Sequence, residues 1–129
     1  MKLEKSCGAV IFKDNQVLLI KSVKGHWSFP KGHVENDETE LETANREILE
    51  ETNVKALLNE NKKVGIRYSP FPGVLKDVIY FYGIYESGNI SRQVEEVDDI
   101  GWFDLDTALK MVTFDSEKEV LIKMIKDDI

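Results

Sequence analysis

GHVENDETELETANREILEETNV, running from Gly32 to Val54, is the stretch from which the rest of the chain is read. Between Thr39 and Thr52 it has neither Gly nor Pro and is rich in Glu, Leu and Ala, which predicts a helix. Leu41, Ala44, Ile48 and Leu49 give that helix an apolar stripe to set on a core. At ~3.6 residues per turn, Glu47, Glu50 and Glu51 fall at i, i+3 and i+4 and share one face. Like charges so placed weaken a helix by roughly 0.2–0.5 kcal/mol per pair. A cation suited to carboxylates, Mg²⁺ or Mn²⁺, would remove the repulsion. A solvated acidic face is the ordinary meaning of such a segment, but the neighbouring residues argue for more. Gly32 permits a sharp loop before the helix. Glu38 and Arg46 have opposite charge and can clamp loop to helix, and Asn53 can take the left-handed conformation that ends one.

At 129 residues the chain is expected to form one domain, 1–129, long enough to bury a real core. A content of 42% hydrophobic and 32% charged residues is that of a soluble globular protein, which excludes a disordered or fibrous chain. No apolar run approaches membrane-spanning length and Met1–Lys5 has no signal-peptide core, so a cytoplasmic location is the default. The single cysteine, Cys7, has no internal disulfide partner and lies in an apolar run, as a small hydrophobe would. A net charge of −7 argues against general nucleic-acid binding. The charge is also segmented: residues 1–34 and 52–94 are net basic, 35–51 and 95–129 net acidic. That suits a site in which metals face carboxylates and phosphates face Lys and Arg.

Strands are predicted over Ser6–Phe12 and Gln16–Ile20, with a turn at Lys13–Asn15. Val23–Lys31, with Gly25, Trp27 and Pro30, reads as irregular; its aromatic and cationic content makes Trp27 a substrate-binding candidate as well as a core lid. Further strands are predicted over Val54–Leu58, Lys63–Tyr68, Asp77–Tyr85 and Val97–Phe103. In the third of these, Val78, Tyr80 and Tyr82 point to one face, Ile79 and Phe81 to the other. Asp104 or Asp106 can cap a short helix over Thr107–Val112, and Ser116 with Glu119 forms a capping-box pattern for a last helix to about Lys126. Strands around a central helix, with a helix at the end, predict an α/β/α sandwich on a mixed β-sheet.

Gly32–Val54 also resembles the Nudix box: Gly, five residues, Glu, seven residues, Arg-Glu, an aliphatic, any residue, Glu-Glu, any residue, Gly, an aliphatic. Every defined position matches except the last glycine, here Asn53, which tolerates the same positive φ. The resemblance implies the same α/β/α fold, two or three Mg²⁺ (or Mn²⁺) ions, and hydrolysis of a nucleoside diphosphate linked to a further group. Glu50 and Glu51 would be metal ligands, Glu47 a ligand or the general base, and Gly32 a carbonyl donor. Arg46 and Glu38 would orient the loop.

A narrower resemblance extends over most of the chain. Trp27–Glu35 (WSFPKGHVE), Glu42-Thr43-Ala44, Cys7–Phe12, Lys76–Phe81 and Glu95-Glu96 before Trp102 are similar to the asymmetrical diadenosine tetraphosphate hydrolases. Lys31 beside the glycine, catalytic by that resemblance, and Lys76 at a strand start can hold phosphates. His33 can bond a phosphate, and Glu95 or Glu96 can complete the metal site. Tyr80, Tyr82 or Phe114 can stack on a base, although strand aromatics are more often core. The partner implied is a small nucleotide. Three readings stay open: cleavage of diadenosine tetraphosphate to ATP and AMP, a Nudix enzyme acting on oxidised nucleoside triphosphates, ADP-ribose or RNA 5′ ends, and a catalytically silent nucleotide sensor.

Overall fold

A computed structural model describes residues 1–126. In chain order they form β1 (Lys2–Lys13), β2 (Gln16–Ser22), β3 (Trp27–Ser28), β4 (Lys31–His33), α1 (Glu40–Thr52), β5 (Lys55–Tyr68), β6 (Val74–Ser87), β7 (Val97–Asp104), α2 (Leu105–Met111) and α3 (Asp115–Lys126). The strands make one mixed sheet centred on the parallel pair β1–β6, in register from Lys2 opposite Val74 to Phe12 opposite Ile84. On its other edge β1 is shared: β4 takes Ser6–Gly8, and β2 takes Phe12 and Lys13 after a tight turn with Asp14 at φ 55°. β7 and β3 pair with β2, and β5 with β6.

Pleating sorts the strand residues as their alternation predicts. Val78, Tyr80 and Tyr82 join the core beneath α2 and α3, with Val10, Val17, Val120, Leu121 and Met124. Ile79 and Phe81 face the opposite way, onto Ala44, Ile48 and Leu41 of α1 with Cys7, Ala9 and Ile11. Helices therefore cover both sides of a mixed sheet, the α/β/α sandwich expected. Leu49 is the exception in the helix stripe: it lies on the flank and is 45% exposed.

The main helix starts one residue later than predicted because Thr39 is its N-cap. Thr39 Oγ1 accepts from Glu42 N and Glu42 Oε1 from Thr39 N, a complete capping box. Asn53 closes the helix in the left-handed region at φ 63°. Other boundaries differ too: β1, β2 and β6 run longer than predicted, and α2 begins and ends earlier. Val54–Leu58 and Lys63–Tyr68 belong to one strand, β5, because a register shift between Asn59 and Lys63 absorbs the polar residues between them. Part of the supposedly irregular Val23–Lys31 segment is drawn into β3 and β4. Asp104, not Asp106, caps α2, accepting from Thr107 N at 2.9 Å. α3 begins at Asp115 instead of being capped by Ser116, with Phe114 O accepting from both Glu117 N and Lys118 N. Among the described residues no helix is long and apolar enough to cross a membrane.

Candidate active site

The clamp between loop and helix forms as the charges suggest. Arg46 Nε donates to Glu38 Oε2 at 2.7 Å and Nη2 to Glu38 Oε1 at 2.9 Å, a two-pronged pair. Nη2 also donates to His33 O at 2.9 Å, fixing β4 to the helix. Glu38 accepts in addition from Thr43 Oγ1 and Glu35 N, and with the guanidinium these bonds hold its pKa down at about 2.

Toward the C-terminal end of α1 three carboxylates lie in different surroundings, two of them, Glu47 and Glu50, bonded by Arg46. Glu47 lies against β4 at Gly32, where a Cβ would fall 2.0 Å from Glu47 Cδ; only glycine leaves room for that carboxylate. Burial raises its pKa against the pull of Arg46, with Glu50 and Glu96 adding to the rise. Glu51 is 6% exposed and accepts from Lys31 N at 2.9 Å. Burial pushes its pKa up to about 8, opposed by the Lys31 N–H and reinforced by the charges of Glu47 and Glu96. Glu50 is exposed and reaches Arg46 Nη1 at 3.3 Å.

Glu96 comes from the connection between β6 and β7, which is tied to the end of α1. Asn53 Nδ2 donates to Asn89 O, Ser91 N to Thr52 O and Gln93 N to Glu51 O. Both candidates there are exposed; of the two, Glu96 is the one whose charge acts on both Glu47 and Glu51. Glu47, Glu50, Glu51 and Glu96 are a set of hard oxygen donors, and a carboxylate as buried as Glu51, with no ion pair closing on it among the described residues, fits Mg²⁺ or Mn²⁺. Among the described residues no three acidic, histidine or cysteine side chains are already gathered around a point, because Arg46 draws Glu47 and Glu50 while the Lys31 amide holds Glu51. Glu50, exposed and at the longest of these contacts, is the freest to turn.

Lys76 is half-buried, and its ammonium is made more acidic by burial and then by the charge of Lys31, with Lys24 contributing. The charges of Lys31 and Lys76 act on each other, with Glu4 and Glu117 also near Lys76, and both ammonium groups can hold phosphates. His33 is exposed, with its carbonyl on Arg46. The expectations for the two strand tyrosines are corrected. Tyr80 has no exposed surface and packs edge-on against Phe29, so it offers no face to a base. Tyr82 stacks on Phe12 at 5.1 Å and has Lys62 Nζ 4.2 Å from its ring centroid, so its ring is already engaged by the protein. Trp27 packs edge-on to Phe103 against the core and is only partly buried. Phe114 is the ring left open, 46% exposed and edge-on to His26.

The sequence reading passed over Glu117. It is buried on α3, on the same stripe as Val120, Leu121 and Met124 at i+3, i+4 and i+7, and an acid on an apolar stripe was the available signal.

Residues 2–124 match the NUDIX domain model. The asymmetrical bis(5′-nucleosyl)-tetraphosphatase of Rattus norvegicus is 32% identical over 91% of this chain and 90% of its own length. The 8-oxo-(d)GTP phosphatase of Mycolicibacterium smegmatis is 34% identical over 78% of this chain, which spans only 30% of that relative. Among solved structures, the C. elegans Ap4A hydrolase in a binary complex superposes with a TM-score of 0.85 at 26% identity, covering 95% of both chains.

Proposed function

The chain belongs to the Nudix family, and from that premise we propose that it hydrolyses diadenosine tetraphosphate to ATP and AMP. The observation that carries this reading is a carboxylate set on α1, Glu47, Glu50 and Glu51, joined electrostatically by Glu96, with Lys31 bonded through its amide to Glu51 and Lys76 within reach of the Lys31 charge. Nudix hydrolases generally use divalent metal ions. Bound here, such ions would polarise the phosphoryl oxygens and lower the pKa of a water. Glu50, Glu51 and Glu96 are the residues to hold them, with Gly32 contributing its carbonyl. Glu47, made more basic by burial and fixed in place by Gly32, is assigned the proton of the attacking water. Lys31 and Lys76 position the phosphates and balance their charge, and His33, exposed at the end of β4, is within the same loop. The likeness to the rat tetraphosphatase over nearly the full length of both chains supports this substrate.

A second reading, hydrolysis of an oxidised nucleoside triphosphate, is favoured by the likeness to the 8-oxo-(d)GTP phosphatase. A silent sensor is disfavoured, because all three box carboxylates and the clamp that orders them are present. A panel of nucleotides incubated with Mg²⁺, with products separated by chromatography, tests the choice. ATP plus AMP from the tetraphosphate is the expected result. A nucleoside monophosphate plus pyrophosphate from 8-oxo-dGTP, with the dinucleotide untouched, would overturn it in favour of the second reading.

A further inference from the structure

The carboxylate at the start of α1 is held quite differently from those at its end. Glu40, the first residue of the helix, stands at i to the i+7 and i+11 of Glu47 and Glu51. At ~3.6 residues per turn the three fall on one line along the helix. Glu40 Oε2 pairs with Lys5 Nζ of β1 at 2.6 Å, and Oε1 with Lys63 Nζ of β5 at 2.7 Å. These bonds, that of Lys5 first, hold its pKa below the ordinary carboxylate value. The carbonyl of the same Lys5 accepts from Val34 N at 3.1 Å and so ties the exit of β4 to β1. The bulge in β5 delivers the second lysine. Before the register shift between Asn59 and Lys63, Ala56 and Leu58 face α1; after it, Val64 and Ile66 face the opposite core. Lys63 therefore turns to the α1 side, opposite Phe81, where a regular strand would have pointed it away from Glu40.

What the two pairs add is direction. Leu41, Ala44 and Ile48 hold α1 on the sheet by apolar packing, which is non-directional. The Arg46 bond to His33 O fixes the helix to β4 at one point, about which a rod can still pivot. Glu40 supplies a second point, on β1 and β5, and removes that freedom. A pivot would carry the Glu47 carboxylate away from Gly32 and that of Glu51 away from the Lys31 amide. Partly exposed pairs of this kind add little to stability, so two lysines drawn from separate strands onto one carboxylate are better accounted for by placement. Resting on the metal-dependent hydrolase reading above, we propose that Glu40 is a positioning residue: its pairs with Lys5 and Lys63 set the rotation and axial position at which Glu47 and Glu51 meet β4.

Glu40→Gln keeps the length of the side chain and removes both pairs. Two readouts test it: titration of the nucleotide-free chain with Mn²⁺, followed by the EPR signal of the free ion, and steady-state turnover at saturating Mg²⁺ of a nucleotide that the wild type cleaves. Mn²⁺ affinity should fall at least about threefold and kcat about tenfold, with KM within about twofold, because a misplaced catalytic group costs turnover. The unfolding midpoint should move by no more than a few degrees. Lys5→Met and Lys63→Met, each removing one pair, should give intermediate losses, and Lys5→Arg should keep wild-type values; these variants carry the test if Glu40→Gln fails to fold. A lowered midpoint with unchanged affinity and kcat per folded molecule would overturn the proposal, reducing Glu40 to a surface strap. A rise in KM alone would overturn it too, since it would place Glu40 in substrate binding. The hydrolase reading fails separately. A wild type that binds Mn²⁺ but cleaves no nucleotide sinks that reading, and the affinities then decide on Glu40; a wild type that binds no Mn²⁺ sinks both.

Discussion

Gly32 and Glu38 show how single residues serve the site without touching substrate. A methyl group on Gly32 would collide with the end of the Glu47 side chain, which can swing aside, and not with backbone. Gly32→Ala is therefore expected to leave the melting temperature within a few degrees while lowering kcat by about 10²-fold, because a displacement near 1 Å of a catalytic group has that order of effect. A collapse of stability with normal turnover per folded molecule would contradict it. Glu38 is the opposite kind of residue, one whose charge the fold uses. Its folded pKa, about 2, is depressed from the ordinary 4.5, so its stabilising contribution is complete above pH 4.5 and is lost as pH falls through 2. The difference in stability between wild type and Glu38→Gln should therefore be constant above pH 4.5 and shrink steadily below it, as chemical denaturation at several pH values would show. A difference that grew toward acid would place the Glu38–Arg46 clamp outside the folding equilibrium.

At the scale of elements, α1 is a helix made by its ends. Thr39 satisfies an orphan donor at the start, and its removal by Thr39→Ala should cost about 1 kcal/mol. The carboxylates lie at the far end of the helix, so turnover per folded molecule should hardly change; a tenfold drop would mean that the first turn also positions the site. This element was legible in the sequence almost to the residue, because capping, periodicity and the left-handed Asn53 are local effects. The sheet was legible in its pleat and less so in its extents. Asn59–Lys62 reads as a loop from composition, yet long-range pairing of β5 with β6 carries the strand through a bulge. The same limit explains the tyrosines. Alternation puts Tyr80 and Tyr82 on one face, but only the packing of α2 and α3 decides that this face is closed.

Over the whole molecule the charge segments of the sequence interleave at α1: Lys31 acts on Glu51 by its amide and its charge, Glu47 and Glu51 feel Glu96, and Lys76 feels Lys31 as well as Glu4 and Glu117. That the charge of Glu96 reaches Glu47 and Glu51 depends on a connection folded back onto the end of α1, through contacts that no local pattern encodes. The gathering has an energetic consequence for the fold itself. Without a cation, Glu47, Glu50 and Glu96 repel, and Glu51 is buried where burial opposes its charge. An ion that binds only the folded chain stabilises it by about 2.7 kcal/mol at a hundred times its Kd, which for a domain of this size is on the order of 10 °C in Tm. Mg²⁺ should therefore raise the midpoint of the wild type by that order in a thermal scan. Glu51→Gln removes a ligand and a buried charge together, so its midpoint in chelator should equal or exceed that of the wild type while most of the Mg²⁺ shift disappears. Turnover should fall by orders of magnitude in the same variant. Equal Mg²⁺ shifts in the two proteins would detach Glu51 from the metal, whatever happened to activity, and leave its burial to be explained by packing alone.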